Sequence, residues 1–121
     1  MTMVGIDRFI PKCMRVPLYR IQWWSENPVY NEMVLRRLYR ATFLKGRPKR
    51  LFGTDGSDTY LVDGSKGAPY EVILGKKECR GSCSCEDFER NVQYALKHGQ
   101  EFVMPCKHLL KVLFYRRSVR K

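Results

Sequence analysis

The sequence contains no long apolar run. No stretch of its 121 residues approaches the roughly 20 consecutive apolar residues of a membrane-spanning helix. The first 15 residues also lack the uninterrupted apolar segment and the small-residue cleavage site of a secretory signal peptide. We therefore expect a cytoplasmic protein without a membrane partner. Internal repeats are absent and 44% of the residues are apolar, so one folded domain is the simplest interpretation.

Acidic residues are scarce relative to basic ones. The chain has 12 Asp plus Glu against 23 Lys plus Arg, which gives a formal net charge of +11. Such a surplus favours an anionic partner, and nucleic acid is the commonest one. The alternative is a basic surface that is merely solvated.

Catalytic motifs are missing as well. The sequence has no nucleophile motif, no glycine-rich phosphate-binding loop and no deaminase His-x-Glu with Pro-Cys-x-x-Cys. Glu86, Asp87 and Glu89 begin a predicted helix, where the helix dipole favours negative charge, so they need no catalytic explanation. We expect a protein without enzymatic activity.

The apolar pattern predicts an α+β fold with elements in the order β, α, β, β, α, α. Residues 9–24 contain two prolines and predict an extended or edge-strand segment. A helix over about 28–45 follows, because Asn27 is a good N-cap, Pro28 suits the first helical position and apolar residues recur every three or four positions. Gly46 is the expected stop.

A period of two residues replaces the helical period after Gly53. It predicts a hairpin with strands at 59–62 and 70–74, joined by a glycine-rich turn. A polar helix over about 86–97 and a last helix over 106–116 complete the predicted elements.

Only five cysteines occur, and three of them lie between Cys79 and Cys85. In a reducing compartment such a cluster more often binds metal than forms disulfides. The pattern Cys-x-Cys, twenty residues, Cys-x-His is formed by Cys83, Cys85, Cys106 and His108. Three thiolates and one imidazole suit a closed tetrahedral zinc site, which leaves no open position for catalysis.

The spacing within each pair of ligands also predicts local structure. Ligands two residues apart meet at one ion only where the chain turns, and Gly81 and Ser84 favour a turn. Residues two apart inside a helix point in nearly opposite directions, so we expect Cys106 at or just before a helix start and His108 in its first turn.

The segments "GSCSCEDF" and "PCKHLLKVLF" resemble the SWIM zinc finger, whose pattern is Cys-x-Cys, a variable spacer and Cys-x-His on a β-β-α scaffold. The resemblance implies one structural Zn2+ ion held by these four residues, in a module that binds DNA or other proteins. The chain accordingly divides into a basic N-terminal extension with one helix (1–59), a SWIM-like module (60–114) and a basic C-terminal tail (115–121).

Other candidate ligands stay open as alternatives. Cys79 could replace Cys83 or Cys85, although the family pattern leaves it as a spare thiol. His98 is typical of a helix C-cap, and a lone residue such as Cys13 is typical of a small buried hydrophobe. A redox switch, in which the clustered cysteines are oxidised and release zinc, is a further alternative.

Cations occur in every predicted element, which favours many phosphate contacts over a broad surface. The candidates for nucleic-acid binding are Arg36, Arg37, Arg40, Lys45, Arg47, Lys49, Arg50, Lys76, Lys77, Arg80, Lys107, Lys111, Arg116, Arg117, Arg120 and Lys121. Aromatic residues adjoin several of them and could stack on bases, whereas Trp23 and Trp24 could equally belong to the core.

These features predict a zinc-stabilised nucleic-acid-binding protein without catalytic activity. Because the chain is small and basic throughout, the first hypothesis is a structural RNA-binding component of a ribonucleoprotein such as the ribosome, with RNA favoured over DNA. The alternative is a DNA-binding or protein-interaction adaptor of a recombination or repair complex, working with a recombinase. Such an adaptor predicts an exposed apolar patch on the first helix.

Overall fold

The computed structural model of the protein describes residues 18–44, 46–64 and 68–119. Within these ranges the elements are β1 Tyr19–Arg20, α1 Pro28–Thr42, β2 Lys49–Gly53, β3 Ser57–Val62, β4 Tyr70–Gly75, β5 Arg80–Cys83, α2 Glu86–Lys97 and α3 Lys107–Val119. The strands form one antiparallel sheet in the order β1-β5-β4-β3-β2. The predicted α+β class is confirmed.

The main core lies between the sheet and the helices α2 and α3. The strand register places Tyr60, Val72 and Cys83 side by side on β3, β4 and β5, and all three side chains are buried in one cluster with Leu109 of α3. A Cβ at Gly81 would lie only 3.0 Å from Leu109 Cδ2. Glycine at this position therefore lets β5 pass close to α3.

A second, smaller core joins α1 to α3. Val34 and Ala41 of α1 and Leu110 of α3 are buried together, and Trp23 packs against them. Since these positions recur at helical spacing, the stripe predicted from the sequence is the face that α1 buries.

The start of α1 follows the predicted capping residues, whereas its end, with Phe43 as the C-cap, lies before the predicted stop at Gly46. The side chain of Asn27 caps the helix by accepting a hydrogen bond from the backbone N–H of Val29 at 2.9 Å, and Pro28 occupies the first helical position. The helix ends at Thr42 rather than near residue 45. Gly46 adopts a φ of +79°, the left-handed conformation for which glycine is suited.

Two strands correct the predicted order of elements. The sequence suggests a basic loop where β2 lies, because its residues do not alternate between apolar and polar. In the structure they form an edge strand that is mostly exposed. The strand β5 is short and contains glycine and serine, so it resembles a turn, yet it is paired on both sides by β1 and β4. Neighbouring strands, rather than local propensity, decide both assignments.

The remaining elements lie close to their predicted positions. The hairpin strands at 59–62 and 70–74 are found within β3 and β4, and the helix over 86–97 is α2. The last helix continues to Val119, beyond its predicted end. Residues 9–17 of the predicted extended segment, with Cys13, lie outside the described residues. The division into extension, module and tail stays a prediction.

A buried ion pair fastens α3 to the sheet. Arg116 is 3% exposed, and it donates hydrogen bonds to Asp58 Oδ2 at 3.1 Å and to the Gly75 carbonyl oxygen at 2.6 Å. Arg50 and Lys76 donate to the other oxygen of Asp58, at 3.1 and 2.9 Å. Burial raises the pKa of Asp58, but the hydrogen bonds and charges of Lys76 and Arg50 outweigh it and lower the pKa below its ordinary value.

We expect the substitution Asp58→Asn to destabilise the protein by about 3–5 kcal/mol, because it leaves the buried Arg116 without a compensating charge. The pKa of Asp58 is lower in the folded state. Its stabilising contribution is therefore present above the unfolded pKa of about 3.9 and is lost as the pH falls through the folded pKa. Urea unfolding between pH 7 and pH 2 measures both effects.

Asp55→Asn is the matched control, since Asp55 is an exposed carboxylate in the turn just before β3. Its effect should stay within about 0.5 kcal/mol. Equal, small losses for both variants would show that the Asp58 ion pair does not anchor α3.

Candidate metal centre and basic surface

Four side chains from three parts of the chain converge beside α2 and α3. Cys83 is the last residue of β5, Cys85 is the N-cap of α2, Cys106 directly precedes α3, and His108 lies in the first turn of α3. Their ligand atoms all lie within 4.8 Å of one another, and all four residues are buried. Zinc–sulfur bonds of about 2.3 Å in a tetrahedron separate ligand atoms by about 3.8 Å, so the group is close to this geometry.

The turn between the first two cysteines is held by the neighbouring strand. The backbone N–H of Ser84 donates to the Glu71 carbonyl oxygen at 3.0 Å, and the Ser84 hydroxyl accepts from the Glu71 N–H at 2.9 Å. Cys85 then caps α2, because its sulfur accepts a hydrogen bond from the Phe88 N–H at 3.3 Å. The sequence predicts the turn but not this cap, since N-caps are usually Ser, Thr, Asp or Asn.

The second pair of ligands is placed by the loop before α3. The Cys106 carbonyl accepts the N–H of Leu110 at 3.1 Å, so Cys106 sits at the helix start, as its spacing predicts. The side chain of Asn91 on α2 donates to the Met104 carbonyl oxygen at 3.0 Å and holds this loop in place. No motif in the sequence marks Asn91, because its partner is a backbone atom distant along the chain.

The electrostatics of the group favour a bound cation. Both ring nitrogens of the buried His108 are without a hydrogen-bond partner among the described residues, and a metal ion would bind one of them and so lower the cost of burying the ring. Burial and the neighbouring thiols raise the pKa of Cys106, whereas hydrogen bonds from Cys106 and Cys83 lower the pKa of Cys85. A divalent metal next to these groups would supply the positive charge that favours their deprotonated, metal-binding forms.

The family comparison agrees with this donor set. A family model described as the SWIM zinc finger matches residues 60–117, the segment that contains all four ligands. The chain carries a SWIM zinc finger. Its Cys3His group fits one structural zinc ion. SWIM zinc fingers often take part in nucleic-acid or protein interactions.

Other comparisons add no relatives. Neither the curated proteins nor the solved structures give a match. None of the helices in the described part of the chain has the length and apolar character needed to cross a membrane.

The alternative ligands lie apart from the SWIM site. Cys79 is exposed and stands outside the ligand group. His98 is the exposed C-cap of α2, as its position predicts, and its ring contacts Tyr94 with ring centroids 4.2 Å apart. The four described cysteines are all free thiols, and Cys13 lies outside the described residues.

The predicted nucleic-acid contacts differ in their accessibility. Exposed positions are occupied by Arg36, Arg40, Arg47, Lys49, Arg50, Lys76, Lys77, Arg80 and Arg117, and Lys107 is half-buried. The guanidinium of Arg37 pairs with Asp87 at 3.3 Å, and the Lys111 ammonium donates to the Leu44 carbonyl oxygen. The predictions for Lys45, Arg120 and Lys121 fall outside the described residues.

Arg116 requires a correction. The sequence places it with the exposed cations of a basic tail, but its side chain is buried and occupied by Asp58 and Gly75. It therefore stabilises the fold and does not face a phosphate. The sequence of β3 contains a signal for this role. Asp58 lies on the same face of the strand as the core residues Tyr60 and Val62, so its carboxylate needs a buried partner.

The two tryptophans differ as well. The indole N–H of Trp23 donates to the Glu78 carbonyl oxygen at 2.7 Å, and its ring packs against both cores. Trp24 is 63% exposed. Trp23 is thus a structural residue, and Trp24 is free to contact a partner.

We expect Cys106→Ser to lose zinc and unfold residues 60–117, since structural zinc supplies about 10–16 kcal/mol of binding free energy in zinc-finger peptides. A strong chelator added to the wild-type protein should have the same effect. Zinc content measured by mass spectrometry and far-UV circular dichroism measure the two outcomes. Cobalt substitution should give the visible bands of tetrahedral thiolate coordination.

The matched control is Cys79→Ser, which removes an exposed thiol close in sequence to two ligands without touching the ligand group. This variant should retain one zinc per chain and its full helical signal. Zinc loss from Cys79→Ser, or a native fold for Cys106→Ser without metal, would contradict the assigned ligand set.

Proposed function

We propose that the protein is a non-catalytic, zinc-stabilised nucleic-acid-binding protein that acts in the cytoplasm as a structural RNA-binding component of a ribonucleoprotein such as the ribosome. The observation that carries the proposal is the surplus of exposed cations on a small, metal-anchored scaffold. A rigid basic surface binds a polyanion by releasing its counterions.

The distribution of ion pairs supports this reading of the charge. Within the described ranges, Arg40, Arg47, Lys49 and Lys77 are exposed and make no salt bridge. They lie on α1, just before β2, at the first position of β2 and on the turn between β4 and β5. Several separate contact points suit the backbone of a folded or looped nucleic acid better than one narrow groove.

Exposed aromatic rings next to cations favour RNA over duplex DNA. Tyr39 is 67% exposed, lies between Arg36 and Arg40 on α1, and contacts Phe43 edge to face with ring centroids 4.9 Å apart. Unpaired bases, which are common in folded RNA, stack on such rings. Paired bases inside a duplex are not available for stacking.

The proposed role is binding without enzymatic activity. Four protein ligands around one zinc leave no position for a substrate or an activated water. Among the described residues, the SWIM group is the one cluster of Cys, His, Asp and Glu side chains suited to a metal. These features support a binding role rather than a chemical one.

We expect the zinc-loaded protein to bind single-stranded RNA more tightly than a duplex DNA of equal length. Tyr39→Leu keeps an apolar side chain but removes the stacking surface, so it should weaken RNA binding by about 1–3 kcal/mol. Fluorescence anisotropy with labelled oligonucleotides over a series of salt concentrations measures both. Equal affinity for duplex DNA, with no effect of Tyr39→Leu, would count against RNA.

Sedimentation of the native protein from cell extract tests the ribonucleoprotein directly. The protein should travel with a large particle and become light after ribonuclease treatment. A light protein in both gradients would instead favour the second candidate.

That second candidate is a protein-interaction or DNA-binding adaptor of a recombination or repair complex, and one observation favours it. Leu35, Tyr39 and the C-cap residue Phe43 recur every four residues along α1 and are 51%, 67% and 66% exposed. They lie on a side away from the buried Val34 and Ala41. An aligned apolar stripe of this kind is typical of a surface that a protein partner covers.

Leu35→Ser separates the two candidates, because leucine contributes to an apolar interface but has no ring for base stacking. If the stripe binds protein, Leu35→Ser should release the protein from a nuclease-resistant complex and leave RNA affinity unchanged. If the stripe stacks on RNA, Leu35→Ser should sediment as the wild type does and only Tyr39→Leu should weaken binding.

A further inference from the structure

The carboxylate of Asp58 is contacted by more cations than are needed to balance its single negative charge. Asp58 is 5% exposed and Arg116 is 4% exposed at their side chains, so this one buried cation already balances the buried anion. Arg50 and Lys76 bring two further cations to the same carboxylate, and their side chains are 54% and 40% exposed. The surplus positive charge of the cluster therefore faces solvent.

Stability alone does not explain these two surface cations. An ion pair with an exposed partner typically contributes at most about 1 kcal/mol to folding, and the buried Arg116 already supplies the compensating charge that a buried Asp58 requires. The chain nevertheless makes room for both. A Cβ at Gly53 would collide with Arg50 Nη2 and with Asp58 Oδ1, so glycine there lets the guanidinium reach the carboxylate.

The shared oxygen also limits the distance between the two cations. Arg50 Nη2 and Lys76 Nζ lie 3.1 and 2.9 Å from Asp58 Oδ1, so the two nitrogen atoms are at most about 6 Å apart. Guanidinium has five N–H donors and ammonium has three, so each group keeps donors that Asp58 does not use. One phosphate group can accept charge-assisted hydrogen bonds of about 2.7–2.9 Å from two such neighbours.

The positive surface continues from this pair into a cleft at the end of the sheet. The cleft has a volume of about 270 Å³, and Lys76, Lys77 and Arg80 line it together with one acidic side chain, Asp55. Gly56 forms part of its wall, where a Cβ would meet no atom within 4 Å. A strand of phosphates leaving the Arg50 and Lys76 pair would therefore meet two more cations.

We propose that Arg50 and Lys76 form a phosphate clamp, held by Asp58, that binds one backbone phosphate of a nucleic acid, with Lys77 and Arg80 contacting the adjoining phosphate. This inference rests on the proposed function and adds a defined binding site to it. Asp58 acts as a positioning residue, because it holds two flexible cationic side chains ready for the ligand before binding.

The test is the double variant R50Q/K76Q, probed with a labelled single-stranded RNA oligonucleotide. Glutamine keeps a hydrogen-bond donor for Asp58, and Arg116 still balances the buried charge, so the fold should be retained. The double variant neutralises one phosphate fewer than the wild type. It should therefore bind RNA about fivefold more weakly at 0.1 M salt, and the slope of log affinity against log salt should fall in magnitude by about 0.7.

The matched control is R90Q/K97Q. It removes the same two charges from exposed positions on α2 that make no ion pair among the described residues. We expect R90Q/K97Q to retain nearly the wild-type slope. If both double variants lost affinity equally, the loss would follow from net charge alone, and the proposed clamp would be wrong.

A measurement on the wild-type protein does not depend on variant folding. In an NMR titration with the same oligonucleotide, the side-chain signals of Arg50 and Lys76 should shift early and together, and those of Arg90 should not. RNA binding that leaves Arg50 and Lys76 unshifted would overturn the clamp alone. No RNA binding by the wild type at low salt would overturn the proposed function as well.

Discussion

The convergence of three thiols and one imidazole in a buried space governs the rest of the structure. These groups lie within 4.8 Å of one another and repel or stay unsatisfied unless a divalent cation joins them. Because they come from the end of β5, the start of α2 and the start of α3, binding one ion fixes all three elements. Metal binding and folding of this part of the chain are therefore one process.

The helix α3 is held at both ends by different interactions. Its start carries Cys106 and His108 of the Cys/His group, and near its end Arg116 pairs with Asp58 in the sheet. Between these points the helix buries apolar residues against β4 and β5 on one side and against α1 on the other. The fold thus presents its basic residues from a scaffold with little freedom, which would reduce the entropy cost of the proposed binding to a polyanion.

The α+β class, most element positions and the four residues of the converging Cys/His group could be predicted from the sequence. Prediction succeeded where the signal is local, as in the Asn27 cap, the hairpin periodicity and the Cys-x-Cys and Cys-x-His spacings. It failed where the partner is distant along the chain. The strand β2 forms because β3 pairs with it. Arg116 is buried because it forms an ion pair with Asp58, which lies far earlier in the sequence.

The sequence by itself determined the metal chemistry and the sign of the surface, since thiolates, imidazole and excess charge are properties of residue types and their spacing. Only the tertiary structure decided which cations remain available. It buried Arg116, paired Arg37, and brought Arg50 and Lys76 to one carboxylate oxygen. The physical reason is that the cost of burying a charge depends on its three-dimensional neighbours, which no short stretch of sequence specifies.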